Sequence, residues 1–141
     1  MLPGFFIGLF IKDVHITLAI REQCTVADLQ EMVNQMKFVV APLLPLVISI
    51  NPEITMKGKE GNVPTHDVII LDDFVRSTLE KVYSDLYTPG GPYPTWSPHI
   101  TVDTDEKKKT VESFIGGEMA VVKNVQLRQL GFKETLWEIT K

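Results

Sequence analysis

The stretch Val14-His15-Ile16-Thr17-Leu18-Ala19-Ile20 decides the reading of this chain, because its side chains follow the period of two that belongs to a half-buried β-strand. Residues two apart in a strand point to the same face. His15 and Thr17 therefore share one side, and Ile16, Leu18 and Ile20 take the other. Immediately upstream, Phe5 to Ile11 (FFIGLFI) is rich in apolar and aromatic residues and predicts a buried strand, joined to the first by a turn at Asp13. The pattern returns in the second half as His99-Ile100-Thr101-Val102, again with imidazole and hydroxyl on one face and two apolar residues on the other.

Outward from these two strands the order of elements follows. Thr25 with Asp28 three residues on predicts a capping box, and the helix after it places Val26, Leu29, Val33 and Met36 on one face. Leu46 to Met56 and Val68 to Leu71 are apolar strand candidates. Lys57-Gly-Lys-Glu-Gly-Asn62 between them has the composition of a turn, so the pair predicts a long hairpin. A helix is expected from Asp72 or Asp73, with Val75, Leu79, Val82 and Leu86 stacked on one side. The prolines and paired glycines from Tyr87 to Pro98 predict a loop, and Glu106 to Ile115 a helix ended by Gly116-Gly117. Met119 to Leu130 and Phe132 to Thr140 close the chain as two strands around Gly131. Each half thus holds a His-Ile-Thr strand, a helix and two strands, which suggests an internal duplication and places the two motif strands near a shared axis.

Composition bounds what such a chain can do. At 141 residues, with 44% hydrophobic and 23% charged residues, residues 1–141 are expected to form one ordinary globular domain. A net charge of −4 argues against coating long nucleic acid, though not against binding a nucleotide or an RNA end with a few local donors. The lone Cys24 reads as a small helix-entry residue. The apolar start lacks a basic region and a small-residue cleavage site, and the uncharged run from Phe38 to Pro52 is short and holds three prolines. The expectation is an intracellular, cytoplasmic protein with no membrane contact and no protein partner. No zinc-binding His-Glu-x-x-His, paired cysteines, calcium loop or P-loop occurs, so neither a metal nor another cofactor is expected.

A histidine on a strand is often a structural residue, and threonine is a common strand former. His66, in Thr65-His66-Asp67-Val68, lacks the spaced hydroxyl and is assigned to a strand entry. Two matched His-x-Thr strands in opposite halves carry more weight. One neutral imidazole can accept a proton while the other, protonated, gives one, so two histidines can serve as base and acid. Either histidine fits either part. Thr17 and Thr101 each bring a hydroxyl donor to the same face as an imidazole.

The two motifs, His15-x-Thr17-Leu18 and His99-x-Thr101-Val102, resemble those of the 2H phosphoesterase superfamily, and motif spacing, chain length and element order extend the resemblance over nearly the whole chain. The resemblance implies an α+β, bilobal fold in which two small antiparallel sheets with flanking helices enclose a central cleft. It also implies a metal-independent phosphodiesterase acting on a 2′,3′-cyclic phosphate, a 2′-5′ linkage or a cyclic nucleotide, with His15, His99, Thr17 and Thr101 as the catalytic set. Tyr93 and Trp96, in the loop that leads into His99, are candidates to stack on a base of the nucleotide or RNA-end substrate. Lys107-Lys108-Lys109 reads as a solvated helix face. The rival function is a non-catalytic module that binds an RNA end or nucleotide in the same cleft.

Overall fold

The computed structural model describes residues 2–49, 55–60, 63–69, 73–86 and 98–141, with the backbone alone for 55–60, 63–69 and Asp73. Strands β1 (Phe5–Ile11) and β2 (Val14–Arg21) form the expected hairpin, and β1 pairs on its other edge with β8 (Asn124–Gln129), which in turn pairs with β9 (Thr135–Thr140). This gives an antiparallel sheet of order β2-β1-β8-β9. A second antiparallel sheet has order β4-β5-β6, from Thr55–Glu60, Val63–Ile69 and His99–Val102. A two-stranded pair joins β3 (Leu46–Ile48) to β7 (Ala120–Val122). Helices α1 (Val26–Gln35), α2 (Asp73–Leu86) and α3 (Asp105–Ile115) complete a mixed α+β architecture.

The duplication expected from the motifs appears in the wiring. β1, β2, α1, β3 and β4 correspond in order to β5, β6, α3, β7 and β8. Each half gives its last strand to the other's sheet, β4 pairing with β5 and β8 with β1. The equivalent strands β3 and β7 pair directly, and β2 packs alongside β6. Both motif strands sit at the edge of their own sheet and face each other across the junction.

The core is one cluster that includes Ile7, Leu9, Ile16, Leu18, Met32, Leu79, Ile100, Val122 and Leu127, so both halves and every helix bury side chains in common. α2 contributes Val75, Leu79, Val82 and Leu86, all buried as the helical spacing predicts. α1 has the full capping box: Thr25 Oγ1 accepts the Asp28 N–H at 3.1 Å, and the Asp28 carboxylate accepts the Thr25 N–H at 2.9 Å.

Several details differ from the sequence expectation. Ile20 is not a core residue, because a bulge leaves Leu18 without a partner on β1; Gly8 pairs with Thr17 and Ile7 with Ala19, so the alternation slips by one and Ala19 is buried instead. Val26, at the first helical position of α1, is 63% exposed, and the buried face runs through Met32 into the π-helical turn Met36–Val40. The long hairpin is shorter and later than expected. Leu46–Ile48 pairs with β7, while Lys57 to Glu60 is strand, not turn. Its charged, glycine-bearing sequence suits an edge strand, where charge discourages further pairing. His66 lies within β5, not at its entry, and Met119 to Leu130 breaks at Lys123 into β7 and β8.

Candidate functional site

β2 turns His15 and Thr17 to the face of the four-stranded sheet opposite Ile16 and Leu18, which are buried in the core. β6 does the same with His99 and Thr101 against buried Ile100 and Val102. Because β2 lies beside β6, the four motif residues occupy one region of the molecule, and His15 is close enough to His99 to feel its charge. On the β5 side, Asp67 pairs in register with Thr101 and Ile69 with His99. Tyr93 and Trp96 lie outside the described residues.

The surroundings of His15 are aromatic. Its ring stacks on Phe10, with centroids 4.9 Å apart and planes 20° apart, and lies 5.4 Å from the Phe6 ring. Phe10 is its register partner on β1, so the stack is a cross-strand pair. Between the two phenylalanines sits Gly8, directly opposite Thr17. A Cβ on Gly8 would come within 2.8 Å of Phe10 Cε2 and 3.3 Å of Phe6 Cε2, and would also touch the His15 ring at 3.5 Å. The glycine lets these rings lie flat against the sheet. Among the described residues no hydrogen bond to the His15 ring is formed, so packing against Phe6 and Phe10 orients it.

Electrostatics reinforce that environment. His15 is pushed down from 6.5 to about 4, first by burial, then by the positive charges of Lys107 and Arg128 and by His99; Asp103 opposes them. Lys107 belongs to the first turn of α3, the helix that follows β6, and its ammonium is held by Asp103 at 2.9 Å. It is half-buried at the site, not part of a solvated face as expected from the lysine run. Arg128, on β8, reaches across β1: its guanidinium carbon is 4.1 Å from the Phe10 ring centroid, a cation–π contact.

Sequence reasoning missed Phe6, Gly8, Phe10 and Arg128. The signal was present, since Phe6, Gly8 and Phe10 are spaced two apart on the strand next to His15, as Asn124, Gln126 and Arg128 are on β8. Treating Phe5 to Ile11 as uniformly buried hid the alternation. On β8 the three polar residues form a ladder: Gln126 Nε2 donates to Asn124 Oδ1 at 2.6 Å, and Arg128 Nε donates to Gln126 Oε1 at 2.8 Å.

Chemically, the region combines two imidazoles, two hydroxyls and two cations. That set suits gripping an anion and moving protons around it. Among the described residues no three His, Cys, Asp or Glu side chains converge as a metal cluster, and no helix is long and apolar enough to cross a membrane. No protein-family model matches the chain, and no curated protein matches it.

Proposed function

We propose that this chain is a metal-independent phosphodiesterase of the 2H kind, acting on a ribose-linked phosphodiester between His15 and His99. The observation that carries the reading is the adjacency of β2 and β6, edge strands of separate sheets in equivalent halves, each bearing a His-x-Thr motif. In this reading the four-stranded and three-stranded sheets are the two lobes, and the cleft between them is the site.

The two histidines then divide the work. His15 is neutral at pH 7, so it accepts the proton of the attacking hydroxyl, from water or the neighbouring ribose. As the new P–O bond forms and the old one breaks, His99 gives a proton to the leaving oxygen. Thr17 and Thr101 donate to the non-bridging oxygens, where negative charge gathers. A base held near 4 is weak in the empty site, but an incoming phosphodiester offsets the charges of Lys107 and Arg128 and raises its basicity. Packing against Phe6 and Phe10, not a hydrogen bond among the described residues, holds the His15 ring for that transfer.

A panel of 2′,3′-cyclic phosphates, 2′-5′-linked oligonucleotides and cyclic oligonucleotides, assayed in chelator, tests this. Turnover of at least one class that survives the chelator is the expected result. Tight binding without turnover of any class would instead make the chain a recognition module for nucleotides or RNA ends.

A further inference from the structure

Resting on that reading, we propose that Arg128 forms a second anion subsite, which engages a phosphate adjacent to the scissile one and so selects oligonucleotides over substrates with a single phosphodiester. The argument begins with what holds Arg128. Its Nε donates to Gln126 Oε1, which also accepts from Thr135 Oγ1 at 2.7 Å. Gln126 is in turn fixed by Asn124, whose Nδ2 reaches Glu138 Oε2 at 3.0 Å and Thr140 Oγ1 at 2.8 Å. One edge of the guanidinium is thus anchored by a polar ladder across β8 and β9, and its face rests on Phe10.

The other edge is unused. Among the described residues the terminal nitrogens of Arg128 have no acceptor and no ion pair, although the side chain is half-buried and Glu138 is near enough to favour its charge. Partial burial works against that charge, and a guanidinium fork whose free edge is open to solvent matches the oxygens of a phosphate. Lys107 differs, because Asp103 already occupies its ammonium.

Position supplies the ligand class. His15, Phe10 and the Arg128 guanidinium form one stack with spacings of 4.9 and 4.1 Å, so the guanidinium is no farther from the imidazole than those two separations laid end to end. β1, which carries Phe10, lies between β2 and β8, so Arg128 approaches from the strand beyond His15 and is placed to meet a neighbouring anionic group of the same substrate.

The test uses a ribodinucleotide carrying whichever linkage the wild-type protein cleaves in the panel, with and without a terminal phosphate, placed at each end in turn. Wild-type kcat/KM should be about 10-fold higher for one phosphorylated form. Arg128→Gln should abolish that preference, read as the ratio of kcat/KM for the phosphorylated and unphosphorylated dinucleotides in the same variant, so that any change in His15 basicity common to both substrates cancels. Arg128→Lys, which keeps the charge but not the fork, should retain part of the preference. Independently of any variant, log kcat/KM against log salt should be steeper by about 0.7 for the preferred form, the slope of one more phosphate contact on a single strand. Equal salt slopes, or an equal loss on both substrates in Arg128→Gln, would overturn the subsite and leave the phosphodiesterase standing. Failure of wild type to cleave any phosphodiester would remove the phosphodiesterase and the subsite together.

Discussion

The two His-Ile-Thr strands are nearly identical in sequence and occupy equivalent places in the two sheets, yet their surroundings differ. β2 follows β1 through a tight turn at Lys12 and Asp13, so His15 is packed at once against Phe10 and Phe6 of its own hairpin. In the second half α2 and the segment 87–98 are inserted between β5 and β6, and His99 pairs with Ile69. A duplicated motif thus becomes an asymmetric pair through its neighbours, and asymmetry is what acid–base catalysis needs. In the proposed mechanism two identical histidines would compete for the same proton, whereas one held neutral by burial and nearby cations can serve as the base.

The largest test of the comparison removes each histidine in turn. His15→Ala and His99→Ala should each lower kcat by about 10²–10⁴-fold, the contribution of a positioned acid or base. The double variant should lose little more than the worse single one, because the two act on one transition state. Near-native turnover by either folded single variant would end the two-histidine mechanism.

A smaller effect sharpens the contrast through stability. In the unfolded chain His15 takes a proton near pH 6.5, but in the folded chain only near 4. Between those values the unfolded state binds more protons, so stability rises with pH across the window and is flat, for this group, above it. Lowering the pH from 7 to 4 should cost up to about 3 kcal/mol through His15. Urea unfolding of wild type and His15→Gln over that range isolates the term from the titrating carboxylates. Parallel curves for the two proteins would contradict the buried neutral imidazole.

Much of this arrangement is legible in the sequence where periodicity is strong. The helical spacing from Val75 to Leu86, the Thr25–Asp28 capping box and the bounds of β6 are set by local patterns, and local patterns survive folding. What failed was decided by how strands pair with one another and not by the pattern within one strand. Ile20 left the core because of a bulge against β1. The charged stretch from Lys57 to Glu60 became a strand because it forms the edge of a sheet. At the site the motif residues themselves could be read, but Arg128 and Lys107 could not. Their part depends on β8 lying next to β1 and on Lys107 of α3 coming within electrostatic reach of His15, relations that no local pattern records.

Lys107 offers the smallest and most discriminating prediction. Both motif-bearing halves start their helix with a threonine cap, Thr25 on α1 and Thr104 on α3. Three residues on, α1 has Asp28, whose carboxylate completes the cap and sits well at the positive end of the helix dipole. α3 has Lys107 there, a cation at the wrong end, held by Asp103. The ion pair with Asp103, one turn back, offsets that cost without completing a cap as Asp28 does. The lysine's charge also acts on His15, which it pushes down. Lys107→Gln removes a poor dipole interaction and a half-exposed ion pair together, so stability should change by no more than about 0.5 kcal/mol. The same change should move the acid limb of kcat/KM upward from near 4, because one of the charges opposing protonation of His15 is gone while burial still holds it down. A pH profile that stays in place while the fold is intact would separate Lys107 from His15 and return it to the helix surface.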